Sequence, residues 1–190
     1  MSAGSSSNTL TSKRLTRADW IQEALEILRE RGVEGVKIVV IAERMGVTSG
    51  SFYWHFKGLR DLLDCLLDYW ETVLTDAIIT AAKEIGGSPE MRILTLMQQV
   101  IEHNAAIHDH VISVWARSDP RAREVFERTI KKRIDFACWM FKQVGFSSRE
   151  AAVRGRLMIT YLMGESSTSL KSDKRWRSII RDECAVLVKR

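Results

Sequence analysis

The sequence predicts an all-α protein in which a small N-terminal three-helix bundle is followed by a larger helical domain. Apolar residues recur at spacings of three and four along most of the chain, and long alternating runs of the kind that build half-buried strands are missing. The 190 residues include only two prolines, and the glycines are scattered, so helices are interrupted at few points. With 45% hydrophobic residues the chain can bury a core, and its length suits a small domain joined to a larger one.

Residues 1–12 are Ser-rich and nearly devoid of apolar surface, which predicts a disordered arm. Thr16, with Asp19 in the first turn, marks a helix start, Ile21, Ala24, Leu25 and Leu28 repeat at helical spacing, and Gly32 is the stop. The first helix is therefore expected over 17–31. Ile38 to Ile41 is β-branched, which propensity alone assigns to a buried strand. The run is short, has no evident partner strand and continues into the helix-favouring Ala42-Glu43-Arg44-Met45, so a helix is the better reading. Gly46 can end it in the left-handed conformation, and Thr48 or Ser49 can cap a further short helix reaching about His55. Two short helices joined by a glycine turn form a helix-turn-helix.

From Leu59 a long helix is expected, with an apolar stripe from Leu62 to Ile78, ended by Gly86-Gly87-Ser88-Pro89. Further helices are expected at about 90–104, 107–117, 120–144, 147–168 and 173–188. The divisions that follow are an arm at 1–12, a helix-turn-helix domain at 13–58 and a larger helical domain at 59–190.

The net charge is +5 and unevenly placed. Residues 1–60 carry nine Lys/Arg against six Asp/Glu, residues 61–170 thirteen against fifteen, and residues 171–190 seven against three. An anionic partner therefore suits the ends better than the middle. Cys65, Cys138 and Cys184 are distant and odd in number, and read as reduced, buried or half-buried thiols. No 18-residue apolar run spans a membrane and the first residues lack a signal-peptide core, which predicts a soluble cytoplasmic protein. His103, His108 and His110 do not share one helix face, so with Asp109 they read as a polar corner and no metal site is expected. No paired carboxylates, activated nucleophile or phosphate-cradling glycine loop points to an enzyme or to a cofactor.

The residues around the turn resemble the DNA-binding module of the tetracycline-repressor (TetR) family of bacterial regulators. The resemblance runs through Gly35-Val36, Ile41-Ala42 and Met45-Gly46-Val47, is sharpest in Ser51-Phe52-Tyr53-Trp54-His55-Phe56-Lys57, and continues into Leu59-Arg60-Asp61-Leu62-Leu63. It covers about fifty residues; the rest of the chain resembles the family in helical rhythm and length.

A helix docking in the major groove needs small residues at its start, and Thr48, Ser49, Gly50 and Ser51 provide them. Lys57 at the far end suits both a phosphate and the helix dipole. The resemblance implies that Tyr53 and His55 contact the DNA backbone, that Trp54 packs at the groove edge, and that Phe52 and Phe56 turn inward. Lys37 stands where the family more often has a capping Ser or Thr; a lysine cannot accept an amide hydrogen bond and can instead reach the DNA backbone. Arg17, behind Lys13 and Arg14, is a further candidate for phosphate or minor-groove contact.

For the larger domain the resemblance implies an effector pocket and a dimer interface built from the last two long helices. Pocket candidates are the large apolar residues Met97, Ile101, Trp115, Phe126, Ile130, Phe136, Trp139, Met140 and Tyr161, which suit a largely apolar small molecule. Dimer candidates are Leu157, Met158, Tyr161, Leu162, Trp176, Ile179 and Ile180, which can pack with a second copy as a four-helix bundle. The function implied is a homodimeric, ligand-responsive transcriptional repressor that reads a palindromic double-stranded DNA operator and is released by its effector. The alternative is a helical interaction protein or enzyme on the same scaffold, without specific DNA binding.

Overall fold

The computed structural model describes residues 15–167 and 176–189, and among them there is no strand. The expected arm at 1–12, together with Lys13 and Arg14, lies outside the described residues.

The first helix, α1 (Arg17–Arg31), starts at a capping box in which the Asp19 amide donates to the Thr16 hydroxyl and the Asp19 carboxylate accepts from the Thr16 amide. It ends at Gly32, whose φ of 68° a side chain would resist. Trp20, Ile21, Ala24, Leu25, Ile27 and Leu28 form its buried face. A 3₁₀ turn (Val33–Gly35) leads to α2 (Ile38–Arg44). The β-branched run is thus helical, and its burial is one-sided: Ile41 and Ala42 are buried while Val39 is exposed. Arg44 ties α2 to α1 by ion pairs to Glu23 at 2.6 Å and Glu30 at 2.7 Å.

After Gly46, with φ of 67°, comes α3 (Ser49–Phe52). The expected helix to about His55 is shorter than thought as an α-helix. Beyond Phe52 the chain winds tighter, with i→i+3 bonds from the amides of Tyr53, Trp54 and His55. That tightening places the Phe56 ring on the Phe52 ring at 5.2 Å, so the aromatic base of the element is stacked rather than strung out.

The single long helix expected from Leu59 is broken by a change of winding. It comprises α4 (Leu59–Asp68), a π-helical segment (Tyr69–Thr75) and α5 (Asp76–Glu84). Then follow α6 (Pro89–Glu102), α7 (Asp109–Trp115), α8 (Pro120–Val144), α9 (Ser148–Ser166) and α10 (Trp176–Val188). Ser88, Asp119 and Ser147 cap α6, α8 and α9 as their positions before Pro89, before Pro120 and after Gly145 suggest. The expected helix at 107–117 is shorter, because residues 103–108 form turns around Asn104, whose φ is +52°.

Two cores result. The first joins α1 to α4 and Trp70 with Ile112, Trp115 and Ala116 of the α7 region and with Ala122 and Val125 of α8. The second joins α5, α6, the C-terminal half of α8, α9 and α10. The three-helix bundle is therefore not a free bead, since α4, α7 and the start of α8 share its interior. The 25-residue α8 runs through both cores.

Candidate functional site

The helix-turn-helix offers one surface of exposed residues above a sealed base. Phe52 and Phe56 are buried, and the indole of Trp20 meets Phe52 edge-on at 5.4 Å. With that base fixed, the alternation of the tight turn throws Tyr53 and Trp54 outward, at 62% and 89% exposure. His55 is half-buried and Lys57 is exposed. Thr48 and Gly50 are exposed and Ser49 and Ser51 half-buried at the start of the same element. These residues do gather on one element.

Thr48 occupies the cap position of α3, yet neither its hydroxyl nor that of Ser49 caps it; Ser51 instead donates to the Thr48 carbonyl at 2.6 Å. The expected side-chain cap is therefore absent, which leaves the Thr48 hydroxyl at the exposed start of the helix. Lys37 likewise holds the cap position of α2, exposed and without a side-chain hydrogen bond to the helix, as a group with no acceptor must be.

Arg17 is engaged within the chain. Its guanidinium donates to the His55 carbonyl at 3.0 Å and to Cys65 Sγ at 2.8 Å, lies 3.4 Å from Asp61, and sits 4.5 Å from the centre of the Phe56 ring. These partners tie it to the joint between α1, α3 and α4, while its side chain stays 49% exposed. Asp61 closes the same joint by accepting from the Lys57 amide at 2.9 Å. The Lys57 amide, and with it Arg17, holds the Asp61 carboxyl below its ordinary range.

A second feature lies in the other core. An apolar cavity of about 50 Å³ sits between α5, α6, α8 and α9, faced by Ile78, Leu96, Phe136, Met158 and Ile159. One end is polar. Asp109, 1% exposed, pairs with Arg133 Nη1 at 2.5 Å and accepts from Trp70 Nε1 at 2.9 Å. Arg133 also donates to the Thr75 hydroxyl, from Nε at 3.1 Å and Nη2 at 2.7 Å, while Thr75 donates to the Trp70 carbonyl at 3.2 Å. Trp70 and Thr75 belong to the π-helical segment, so the polar end of the cavity and the winding of the α4 to α5 rod are one network.

Few of these groups are among the residues the sequence offers as pocket candidates. Of the nine pocket candidates only Phe136 faces the cavity. Met97 and Ile101 are ordinary core; Trp115 and Phe126 belong to the other core, where Phe126 stacks on Trp70 at 6.0 Å. Ile130 packs against the second core, Trp139 is largely exposed, and Met140 lies with it at the other end of α8. Tyr161 donates to Glu183 at 2.7 Å, across to α10. Asp109 was read only as part of a histidine corner. His103 and His110 are exposed, His108 is half-buried, and among the described residues no three His, Cys, Asp or Glu side chains gather as a metal site would require.

The dimer candidates divide. Leu157 and Ile179 are exposed, and with Val153 and Val186 they leave an apolar face on α9 and α10. Met158, Leu162 and Ile180 are buried within the chain's own second core and have no surface to offer a second copy. Tyr161 and Trp176 are half-buried. Cys184 is sealed in the same core, and burial pushes its thiol up to about 11, away from redox reactivity.

Residues 21–66 match the family model described as bacterial regulatory proteins, tetR family. The class C tetracycline repressor of Escherichia coli is 43% identical over 60 residues, 32% of this chain and 27% of that protein. A TetR transcriptional regulator from Legionella pneumophila has a similar fold, with a TM-score of 0.77 over 94% of this chain and 100% of that one at 12% identity. A transcriptional regulator from Rhodococcus sp. Rha1 gives 0.72 over 92% and 94% at 18% identity. The family match is thus to residues 21–66, about a quarter of the chain.

The sequence likeness is strongest over the helix-turn-helix and weaker beyond it, where a Pseudomonas putida regulator is 26% identical over 124 residues; the chain spans about a quarter of the length of the tetracycline repressors it matches. Toward the solved structures, at 12% and 18% identity, the likeness is one of fold. The matched span runs from Ile21 to Leu66, inside α4, and so takes in Asp61 of the joint between α1, α3 and α4 but not Arg17. Among the described residues no helix is long and apolar enough to cross a membrane.

Proposed function

We propose that this chain is a ligand-responsive transcriptional repressor of the tetR family that acts in the cytoplasm as a homodimer on a palindromic DNA operator. The observation that carries the reading is the outward set Thr48, Tyr53, Trp54 and Lys57 on a recognition element whose inner aromatics are sealed. An aromatic as exposed as Trp54 contributes little to the fold, and beside a lysine and small polar residues it suits a groove edge and its phosphates. Ser49, Gly50, Ser51, His55 and Lys37 complete the proposed surface; Arg17 supports it from behind.

Residues 13–58 then form the reading unit, and 59–190 the effector and dimerisation unit. The exposed face of Leu157 and Ile179, extended by Val153 and Val186, supports the pairing of two copies through α9 and α10. The cavity beside Arg133 supports an effector site, and no catalytic role or cofactor belongs to the reading. At about 50 Å³ the cavity holds a few waters, whereas ligand pockets run to ~300–1,000 Å³, so an effector must move side chains to enter. The network from Arg133 to Thr75 and Trp70 gives that movement a route to α4, and differential affinity for the two arrangements would set the response.

The test is binding of the purified chain to the DNA upstream of its own coding sequence against random duplex at matched salt. The reading expects a preference of about a thousandfold or more. Equal affinity for the two duplexes would contradict it.

A further inference from the structure

We infer that the cavity takes an apolar molecule that presents a neutral hydrogen-bond acceptor, such as a carbonyl oxygen, to the guanidinium of Arg133. The inference rests on reading the C-terminal helices as an effector unit and goes beyond it by giving the effector a chemistry.

Around Arg133 the donors outnumber the acceptors. A guanidinium has five N–H donors and no acceptor. Nε and one hydrogen of Nη2 go to Thr75, and one hydrogen of Nη1 goes to Asp109. The second hydrogens of Nη1 and Nη2 have no acceptor among the described residues. The acceptors nearby are in use: the Thr75 hydroxyl takes both Arg133 bonds, and the two Asp109 oxygens take Arg133 and the Trp70 indole. Arg133 retains 12% side-chain exposure against 1% for Asp109, so the open polar face is the donor face. An incoming donor finds only the covered remaining lone pairs of Asp109, whereas an incoming acceptor finds two open hydrogens.

Charge decides the remainder. Asp109 and Arg133 neutralise each other, and a third charge brought into this apolar space would be buried without compensation. A carboxylate would have to displace Asp109, and an ammonium would face Arg133. A neutral oxygen does neither. Beyond it the walls are Ile78, Leu96, Phe136, Met158 and Ile159, which suit a hydrocarbon body, and the unbranched Met158 can rearrange to admit it. Because Arg133 also holds Thr75, an oxygen on its open hydrogens sits one hydrogen-bonded step from the π-helical segment.

Calorimetric titration of the full chain with 2-nonanone, nonanoate and nonylamine tests the assignment, since the three share a chain and differ at the polar end. The ketone is expected to bind about tenfold or more tightly than either charged partner. In the Arg133→Met/Asp109→Asn double variant, which removes both charges together, that preference is expected to vanish. Nonanoate or nonylamine binding as tightly as the ketone overturns the assignment, as does no ketone binding at millimolar concentration. The wild-type ranking decides the matter even where the variant fails to fold. Upstream DNA binding by the unliganded chain, measured alongside, separates the two readings. DNA preference without ketone preference overturns only the ligand chemistry, and ketone preference without DNA preference overturns the regulator.

Discussion

Trp54 and Phe52 are two positions apart and have opposite fates, which makes them the sharpest pair at the scale of single residues. Phe52 is fully buried against Trp20, Tyr53 and Phe56, whereas Trp54 meets almost nothing within the chain. Phe52→Ala is expected to cost about 3–5 kcal/mol by denaturant unfolding. Trp54→Ala is expected to stay within about 0.5 kcal/mol while weakening DNA binding. A Trp54 variant that destabilises the fold without affecting DNA would remove it from the reading surface. Helical geometry made it legible that Tyr53, Trp54 and His55 cannot all be buried, and the family resemblance implied that Phe52 and Phe56 turn inward. The sequence could not reveal that Arg17 is engaged within the chain, since its partners His55, Asp61 and Cys65 lie 38 to 48 positions away. Arg133 and Thr75, 58 positions apart, were hidden for the same reason.

At the scale of elements, the close approach of α8 and α9 depends on Gly155. A Cβ there would lie 2.9 Å from the Cys138 amide nitrogen and 3.2 Å from its Cα, both backbone atoms that cannot swing aside. Gly155→Ala is therefore expected to destabilise by about 1–3 kcal/mol despite the better helix propensity of alanine, and a thermal melt measures it. Helix starts were the most legible elements, because a capping residue before a proline or an acidic third position has a local cause. The π-helical winding at Tyr69–Thr75 was not legible. Its sequence, YWETVLT, continues the helical stripe, and the wide turn is tied to Thr75 and Trp70 by partners from α7 and α8. Along the same rod Arg60 pairs with Asp119, Arg121 with Asp68, Arg128 with Glu71 and Lys132 with Asp76. Each pair is exposed enough to contribute modestly, but together they keep α8 in register with the α4 to α5 rod.

For the whole molecule, two outcomes follow from how the parts meet. His108 packs beside α1, 3.9 Å from Glu26, with Arg29 on the same helix and Asp109 next to it in sequence. Burial lowers its pKa despite those carboxylates. In the unfolded chain it takes up a proton near pH 6.5, whereas in the fold it does so lower, so between the two values the unfolded state binds more protons. Stability should be full above about pH 6.5 and fall as the pH drops below it, a dependence that His108→Gln should blunt in denaturant titrations from pH 7.5 to 5.5. Assembly gives the second outcome. Leu157, 51% exposed on α9, belongs to the apolar face proposed to pair two copies. Leu157→Glu is expected to shift sedimentation from dimer to monomer at micromolar concentration, with the helical content unchanged; a wild-type monomer would remove the pairing.

The central claim is that two copies of the recognition element meet DNA together, and the salt dependence of affinity for the upstream DNA tests it most directly. Each phosphate contact contributes about 0.9 to the slope of log affinity against log salt. Lys57→Ala, which removes one exposed cation from each of two protomers, should make that slope shallower by roughly 1.8, with specificity largely kept. A slope and an affinity unchanged from the wild type would contradict the account.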